Sequence, residues 1–259
     1  MKTKRKIIAI ANQKGGVGKT TTAINLAAAL ALKKIKVLLV DSDPQGNASS
    51  GLGILVPKNT DHFYQALTAG APVGSIIRHT TNTFLDIIPT NIDLVAAEIE
   101  LISLEKREKQ LDIVLSDNAC SAYDYILIDC PPSLGLLTVN ALTAADSVLI
   151  PMQCEYFAME GLAQLVTTIR SVKKSFNPDL YIEGLLLTMF DKRNKLTHQV
   201  AEEISRHFSN QLFKTVIPRN VRLSEAPSHG QAIFDYDSMS AGAKSYTALA
   251  SEFLAQQGN

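Results

Sequence analysis

The chain has no excess of charge of either sign: 25 Lys and Arg balance 25 Asp and Glu over 259 residues. A uniformly basic nucleic-acid binder is therefore excluded by composition, and any such surface must be a local patch. Cysteine is sparse. Cys120, Cys130 and Cys154 are the three present; they lie far apart without metal-ligand spacing, and their odd number makes no disulfide framework, which fits a reducing compartment. No apolar run is long enough to span a bilayer as a helix. The start, Met1 to Lys6, is basic and then turns apolar, but that run is short and leads straight into a glycine loop, so it reads as a strand rather than a secretory signal. Linkers, repeats and low-complexity segments are also missing, so residues 1–259 read as a single domain. Hydrophobic residues make up 46% and charged residues 19% of the chain, enough to bury a substantial core.

What is present begins at that loop. Ile7 to Ala11 reads as a buried strand and Ala23 to Leu30 as a helix, and between them stands Lys14-Gly15-Gly16-Val17-Gly18-Lys19-Thr20-Thr21. Strand, glycine loop and helix is the setting of a phosphate-binding loop. Glycines allow positive φ and bring backbone N–H groups up to an anion, while the helix directs its positive dipole end at the same point. Lys19 can reach terminal phosphates and the Thr20 hydroxyl can ligate Mg²⁺. An ordinary loop of this kind has glycine five residues before Gly18. Gln13 stands there, and an extra lysine, Lys14, precedes the glycine pair.

Further strands are read at Lys36–Asp41, Phe84–Pro89, Tyr125–Asp129, Ser147–Pro151, Ile182–Leu187 and Phe213–Ile217. Helices are read over Leu94–Leu115, with a solvated charged face around Glu105 to Lys109, and over Ala158–Ser175, Leu196–Phe208 and Ala241–Ala255. Residues 54–82 read as short helices and turns. Apolar strands alternating with amphipathic helices predict an α/β fold: a doubly wound, mostly parallel sheet with its ligands at the C-terminal strand ends. Two of those ends carry acids. Asp41-Ser42-Asp43 places two carboxylates one residue apart; if the chain is still extended there, one can serve the Mg²⁺ shell and the other can orient water or accept its proton. Asp129, closing an apolar strand before Pro131-Pro132, is placed to serve Mg²⁺, and the prolines force the chain into a loop able to respond to a γ-phosphate.

Four segments in order, Asn12 to Thr21, Val40 to Asn47, Ile128 to Gly135 and Ile217 to Ser228, resemble the ParA/MinD family of P-loop ATPases with the "deviant" Walker A loop, and within it the short chromosomal ParA/Soj type. The resemblance implies ATP and Mg²⁺ as cofactors. It implies a homodimer formed on ATP binding, with Lys14 crossing to the partner's phosphates as an arginine finger would. Asp43 then positions the attacking water, Thr20 and Asp41 serve Mg²⁺ directly or through water, Asp129 serves its shell, and Lys14 to Thr21 cradle the phosphates. Met189 and Pro218 to Asn220 lie near the adenine. It further implies non-specific double-stranded DNA and a ParB-type centromere-binding protein as partners, no membrane, and a cytoplasmic, nucleoid-associated location. Candidate DNA contacts are Lys192, Arg193, Lys214, Arg219 and Arg222; two copies of such a patch bind better than one, because each phosphate contact adds to a salt-dependent free energy.

Three other readings compete. A MinD-like membrane-cycling ATPase needs a basic amphipathic C-terminal helix, and Tyr246 to Asn259 contains no Lys or Arg. A redox protein of the nitrogenase iron-protein kind needs two cluster-bridging cysteines in glycine-flanked settings, which Cys130 and Cys154 lack. A small-molecule kinase or synthetase needs a second substrate motif, for which only residues 54–82 leave room.

Overall fold

In the computed structural model, which describes residues 5–57, 60–155 and 157–258, seven strands form one sheet in the order β3-β4-β2-β5-β1-β6-β7. They are β1 (Lys6–Ile10), β2 (Val37–Asp41), β3 (Arg78–His79), β4 (Leu85–Ile88), β5 (Tyr125–Asp129), β6 (Ser147–Gln153) and β7 (Tyr181–Thr188). All neighbours pair in parallel except β3, which runs antiparallel to β4 at the edge. The helices are α1 (Lys19–Leu32), α2 (Asn47–Gly51), α3 (Phe63–Ala69), α4 (Val73–Ile76), α5 (Ala97–Glu100), α6 (Gln110–Leu115), α7 (Leu136–Ala144), α8 (Ala158–Ser175), α9 (Lys195–Phe208), α10 (Val221–Glu225), α11 (Ile233–Asp237) and α12 (Ala241–Gln256).

Alternate residues of each strand feed two cores. Ile7, Ala9 and Ala11 face the layer of α3, α6, α7 and α8. Ile8 and Ile10 face α1 and α12, where Tyr246 and Phe253 are buried. Both faces are covered, which is why the central strands read as unbroken apolar runs. Helix α1 is buried from Thr22 to Ala31, so its alanines let it lie close against the sheet and α12.

Two predicted elements are not formed as expected. The stretch 94–115 is not one helix. It divides into a 3-10 turn (Ile92–Ala96), α5, a 3-10 turn (Leu101–Ser103), another (Arg107–Lys109) and α6. Leu104 is extended and Lys106 has φ 54. The break is held by Asn140 of α7, which donates to the Arg107 carbonyl at 2.8 Å and accepts from the Leu111 N–H at 3.1 Å. The stretch 213–217 is not a strand. It touches β7 intermittently, through Phe213 N–H to Leu185 O at 3.0 Å and Ile217 N–H to Leu187 O at 2.9 Å. Between those points the N–H groups of Lys214 and Thr215 donate to the Glu252 carboxylate instead, at 2.7 and 2.9 Å. A side chain on α12 thus takes over the ladder's donors.

Candidate nucleotide site

The C-terminal strand ends meet in register. Asp129 pairs with Ile10 on one side and with Asp41 on the other, so two carboxylates leave adjacent strands side by side, next to the loop that follows β1. That loop turns on Gly16 (φ 74) and Gly18 (φ 87), values that strain any residue with a Cβ. It is anchored from both sides. Asn12 accepts from the Lys14 N–H at 3.0 Å and donates to the Pro151 carbonyl at 2.8 Å. The Thr188 hydroxyl donates to the Val17 carbonyl at 2.7 Å. Asn12 opens the first of the four family segments but is given no role by the sequence, and Thr188 is not singled out by it; the structural signal for both is their position at a strand's C-terminal end.

Lys19 is buried at the start of α1 and donates to the Lys14 carbonyl at 3.1 Å. Burial lowers its pKa, opposed in part by the nearby Asp129, Cys130 and Asp43 side chains. Asp129 is fully buried, and neither carboxylate oxygen makes a hydrogen bond. Burial and the neighbouring Asp41 drive its pKa well above the carboxylate range; the Thr20 hydroxyl lies near enough to offset part of that rise but makes no bond of proper geometry. Asp41, equally buried, is raised to about 7 by burial, offset by its bonds to Ser49 and Asp43. One of its oxygens accepts from Ser49 N–H at 2.7 Å and Ser49 Oγ at 2.6 Å; the other accepts from Asp43 N–H at 3.3 Å. Asp41 therefore organises the turn that carries Asp43, while Asp129 stands unpartnered. A buried carboxylate pair with one member orphaned, beside a desolvated ammonium, is a donor set that fits a divalent cation and a phosphate chain.

Two adjoining cavities meet at this point. One, of about 310 Å³, is lined by Gly15, Gly16, Gly18, Lys19, Thr20, Thr21, Asp43 and Pro132. The other, of about 220 Å³ and mostly apolar, is lined by Gly18, Thr21, Met189, Pro218, Asn220 and Tyr246. Met189 belongs to both, and it sits at φ 48 directly after β7. A polar compartment opening into an apolar one suits a polyphosphate attached to a flat ring. The Lys14 amine is turned away from both and pairs with Glu155 at the exit of β6, a partner no sequence pattern indicates.

The candidate DNA residues divide. Lys192, Arg193, Arg219 and Arg222 are exposed around the loop pairing of Phe190 with Pro218. Arg193 is held by Asp191 at 3.3 Å, and Arg222 by Glu225 at 2.9 Å and Asp237 at 3.5 Å. Arg219 also lines the apolar cavity. Lys214 stands apart, on the segment alongside β7 that Glu252 holds.

Fold and site together define a P-loop nucleotide-binding protein whose glycine loop carries a second lysine. Residues 5–182 match the family described as an AAA domain. The chain is 58% identical over 250 residues to the sporulation initiation inhibitor protein Soj of Bacillus subtilis, covering 96% of this chain and 98% of that protein. It is 55% identical over 249 residues to the chromosome partitioning protein ParA of Myxococcus xanthus, covering 96% and 88%. Among solved structures, a putative plasmid partition protein of Borrelia burgdorferi bound to AMPPNP superimposes with a TM-score of 0.84 at 31% identity, covering 98% and 100%. A Mycobacterium smegmatis protein named cobyrinic acid a,c-diamide synthase, with bound ATP analogue and magnesium, gives 0.86 at 34% identity, covering 99% and 97%. The chain belongs to the ParA/Soj family of partition ATPases.

Proposed function

We propose that the chain is a Mg²⁺-dependent ATPase that dimerises on ATP, holds non-specific DNA as the dimer, and drives chromosome or plasmid segregation with a ParB-type partner that stimulates slow hydrolysis. The whole chain acts as one ATPase domain, and its place is the cytoplasm, on the nucleoid. The observation that carries the reading is the disposition of the two lysines. Lys19 is buried in the phosphate compartment, whereas Lys14 lies outside it against Glu155. A second cation at the γ-phosphate must then come from another copy, as Lys14 of the facing subunit.

The roles follow from position. The backbone of Gly15 to Thr21 and the Lys19 ammonium hold the phosphates. Thr20 and Asp129 hold Mg²⁺, with Asp41 beside them fixing the turn. A Mg²⁺ held by Thr20 and Asp129 would supply neutralisation of the phosphates' negative charge. Asp43, at the mouth of the polar compartment, orients water for in-line attack. Met189, Pro218 and Asn220 flank the base. Lys192, Arg193, Arg219 and Arg222, with Lys214 nearby, make the DNA-facing surface. Against the membrane-cycling alternative, α12 buries its apolar face on α1 through Tyr246, Leu249 and Phe253. Against the iron–sulfur alternative, Cys130 and Cys154 are both buried in the core.

The test is the mass in solution of Asp43→Ala, in which hydrolysis is blocked, with ATP, with ADP and without nucleotide. A dimer with ATP alone supports the proposal. A monomer in all three conditions overturns it.

A further inference from the structure

The chain leaving β2 lends three polar residues to the lining of the phosphate compartment: Asp43, Gln45 and Asn47. One carries a carboxylate and two carry carboxamides. Asp43 is committed on one side, where an oxygen accepts the Gln45 N–H at 3.0 Å. Its other oxygen, and the whole Asn47 carboxamide, make no hydrogen bond with the described residues. A free carboxylate oxygen and a free carboxamide thus border the same polar space.

The backbone beneath them is fixed. The Gly46 N–H donates to the Asp43 carbonyl at 2.8 Å, and the Ser50 N–H to the Gly46 carbonyl at 3.0 Å. Ser49 ties the same helix to Asp41. Asn47 is the first residue of α2, so it holds a set position relative to Asp43, and its short side chain has little rotamer freedom to lose. Gln45 differs. It stands on the turn, with a longer side chain, and also lines a groove on the other side of the loop with Ile54 and Asn91, which Asn47 does not.

Water that attacks a phosphorus in line must aim a lone pair at it. One acceptor holds one hydrogen and leaves the molecule free to turn about that bond; a second acceptor holds the other hydrogen and fixes the aim. A second carboxylate in that place would repel the phosphates, whereas a carboxamide oxygen accepts without a charge. We propose that Asn47 is a further catalytic residue of the hydrolysis, its carboxamide oxygen accepting the hydrogen of the attacking water that Asp43 does not hold; this rests on the water-orienting reading of Asp43 above. In the step, the water oxygen bonds to the γ-phosphorus as the bond to the β–γ bridging oxygen breaks, and ADP leaves with that electron pair. The hydrogen held by Asp43 passes as a proton to its carboxylate and on to solvent. The hydrogen held by Asn47 stays on the inorganic phosphate.

The experiment is single-turnover hydrolysis of ATP with Mg²⁺ by the full chain, for wild type, Asn47→Ala, Asn47→Asp, Gln45→Ala and Asp43→Ala. A fluorescent ATP analogue reads nucleotide affinity, and sedimentation velocity with a non-hydrolysable analogue reads self-association. Asn47 is exposed, so its substitutions leave the core untouched. The expected result is that Asn47→Ala hydrolyses about ten- to a hundredfold more slowly, with nucleotide affinity within about twofold of wild type and the same sedimentation profile. Asn47→Asp, which keeps an acceptor oxygen in the same place, recovers part of the lost rate. An Asn47→Ala rate within about twofold of wild type overturns the inference alone. So does a slower rate that merely follows weakened affinity or self-association, an Asp variant no faster than the Ala variant, or a loss found in Gln45→Ala instead. An Asp43→Ala chain that hydrolyses as fast as wild type overturns the reading of Asp43, and this inference with it.

Discussion

Asp129 shows how one buried residue ties stability to ligand. Its two oxygens make no hydrogen bond in a fully buried position, and leaving a buried polar group unsatisfied costs about 1–3 kcal/mol. Asp129→Asn should raise the thermal midpoint without nucleotide and weaken Mg²⁺-nucleotide binding; a lowered midpoint together with unchanged nucleotide binding would contradict the assignment. Asp41 gives a pH signature. Its carboxyl titrates at about 7 in the folded chain against an ordinary 3.8, so between those values the folded state keeps a proton the unfolded state has lost. Its contribution to stability is full below the lower value and falls as pH rises to about 7. Denaturant unfolding from pH 4 to 8 should show that decline in wild type and a flatter profile in Asp41→Asn; an equal slope in both would remove the effect. At this scale the sequence was most informative where chemistry is local. The glycine loop and the strand-end acids are brought together as expected. Ser49, Thr188 and Glu155 escaped notice, and Asn12 was given no role, because each matters through a partner distant in sequence, such as Thr90 for Ser49.

The elements that position the site were legible where burial dictates periodicity. Strand β5 and helix α8 fall on their predicted bounds, Tyr125–Asp129 and Ala158–Ser175. The failures are cases of side chains capturing backbone. Glu252 takes the donors that 213–217 would have given to a ladder, and Asn140 holds open the break before α6. Neither can be read locally, because the deciding side chain lies on a different element. The link between the β2 exit and the β4 exit is of the same kind. Ser49→Ala removes the hydroxyl that serves Asp41 and receives the Thr90 N–H. It should destabilise the chain by about 1–3 kcal/mol, measured by chemical denaturation, and slow nucleotide turnover by loosening the Asp43 turn. A variant as stable and as active as wild type would show that the two loops are not coupled here.

For the whole molecule, a net charge of zero means that the proposed DNA retention would have to come from a local patch, which the proposed dimer would present twice. Arg222 is engaged by two acids, and Arg219 adjoins the apolar cavity, so charge reversal at Arg219 disturbs nucleotide as well as DNA. Lys192→Glu with Arg193→Glu is the cleaner change. It should lower DNA affinity and reduce the salt slope by about 0.9 for each phosphate no longer neutralised, with ATP turnover in the absence of DNA unaltered; an unchanged salt slope would remove these two residues from the patch. The most direct test of the dimer switch is binding to a random-sequence duplex at two salt concentrations, with ATP, with ADP and without nucleotide, for wild type and Lys14→Ala. Salt-sensitive binding that requires ATP and disappears in Lys14→Ala is the expected result. Equal binding in all nucleotide states, or full retention in Lys14→Ala, would contradict it.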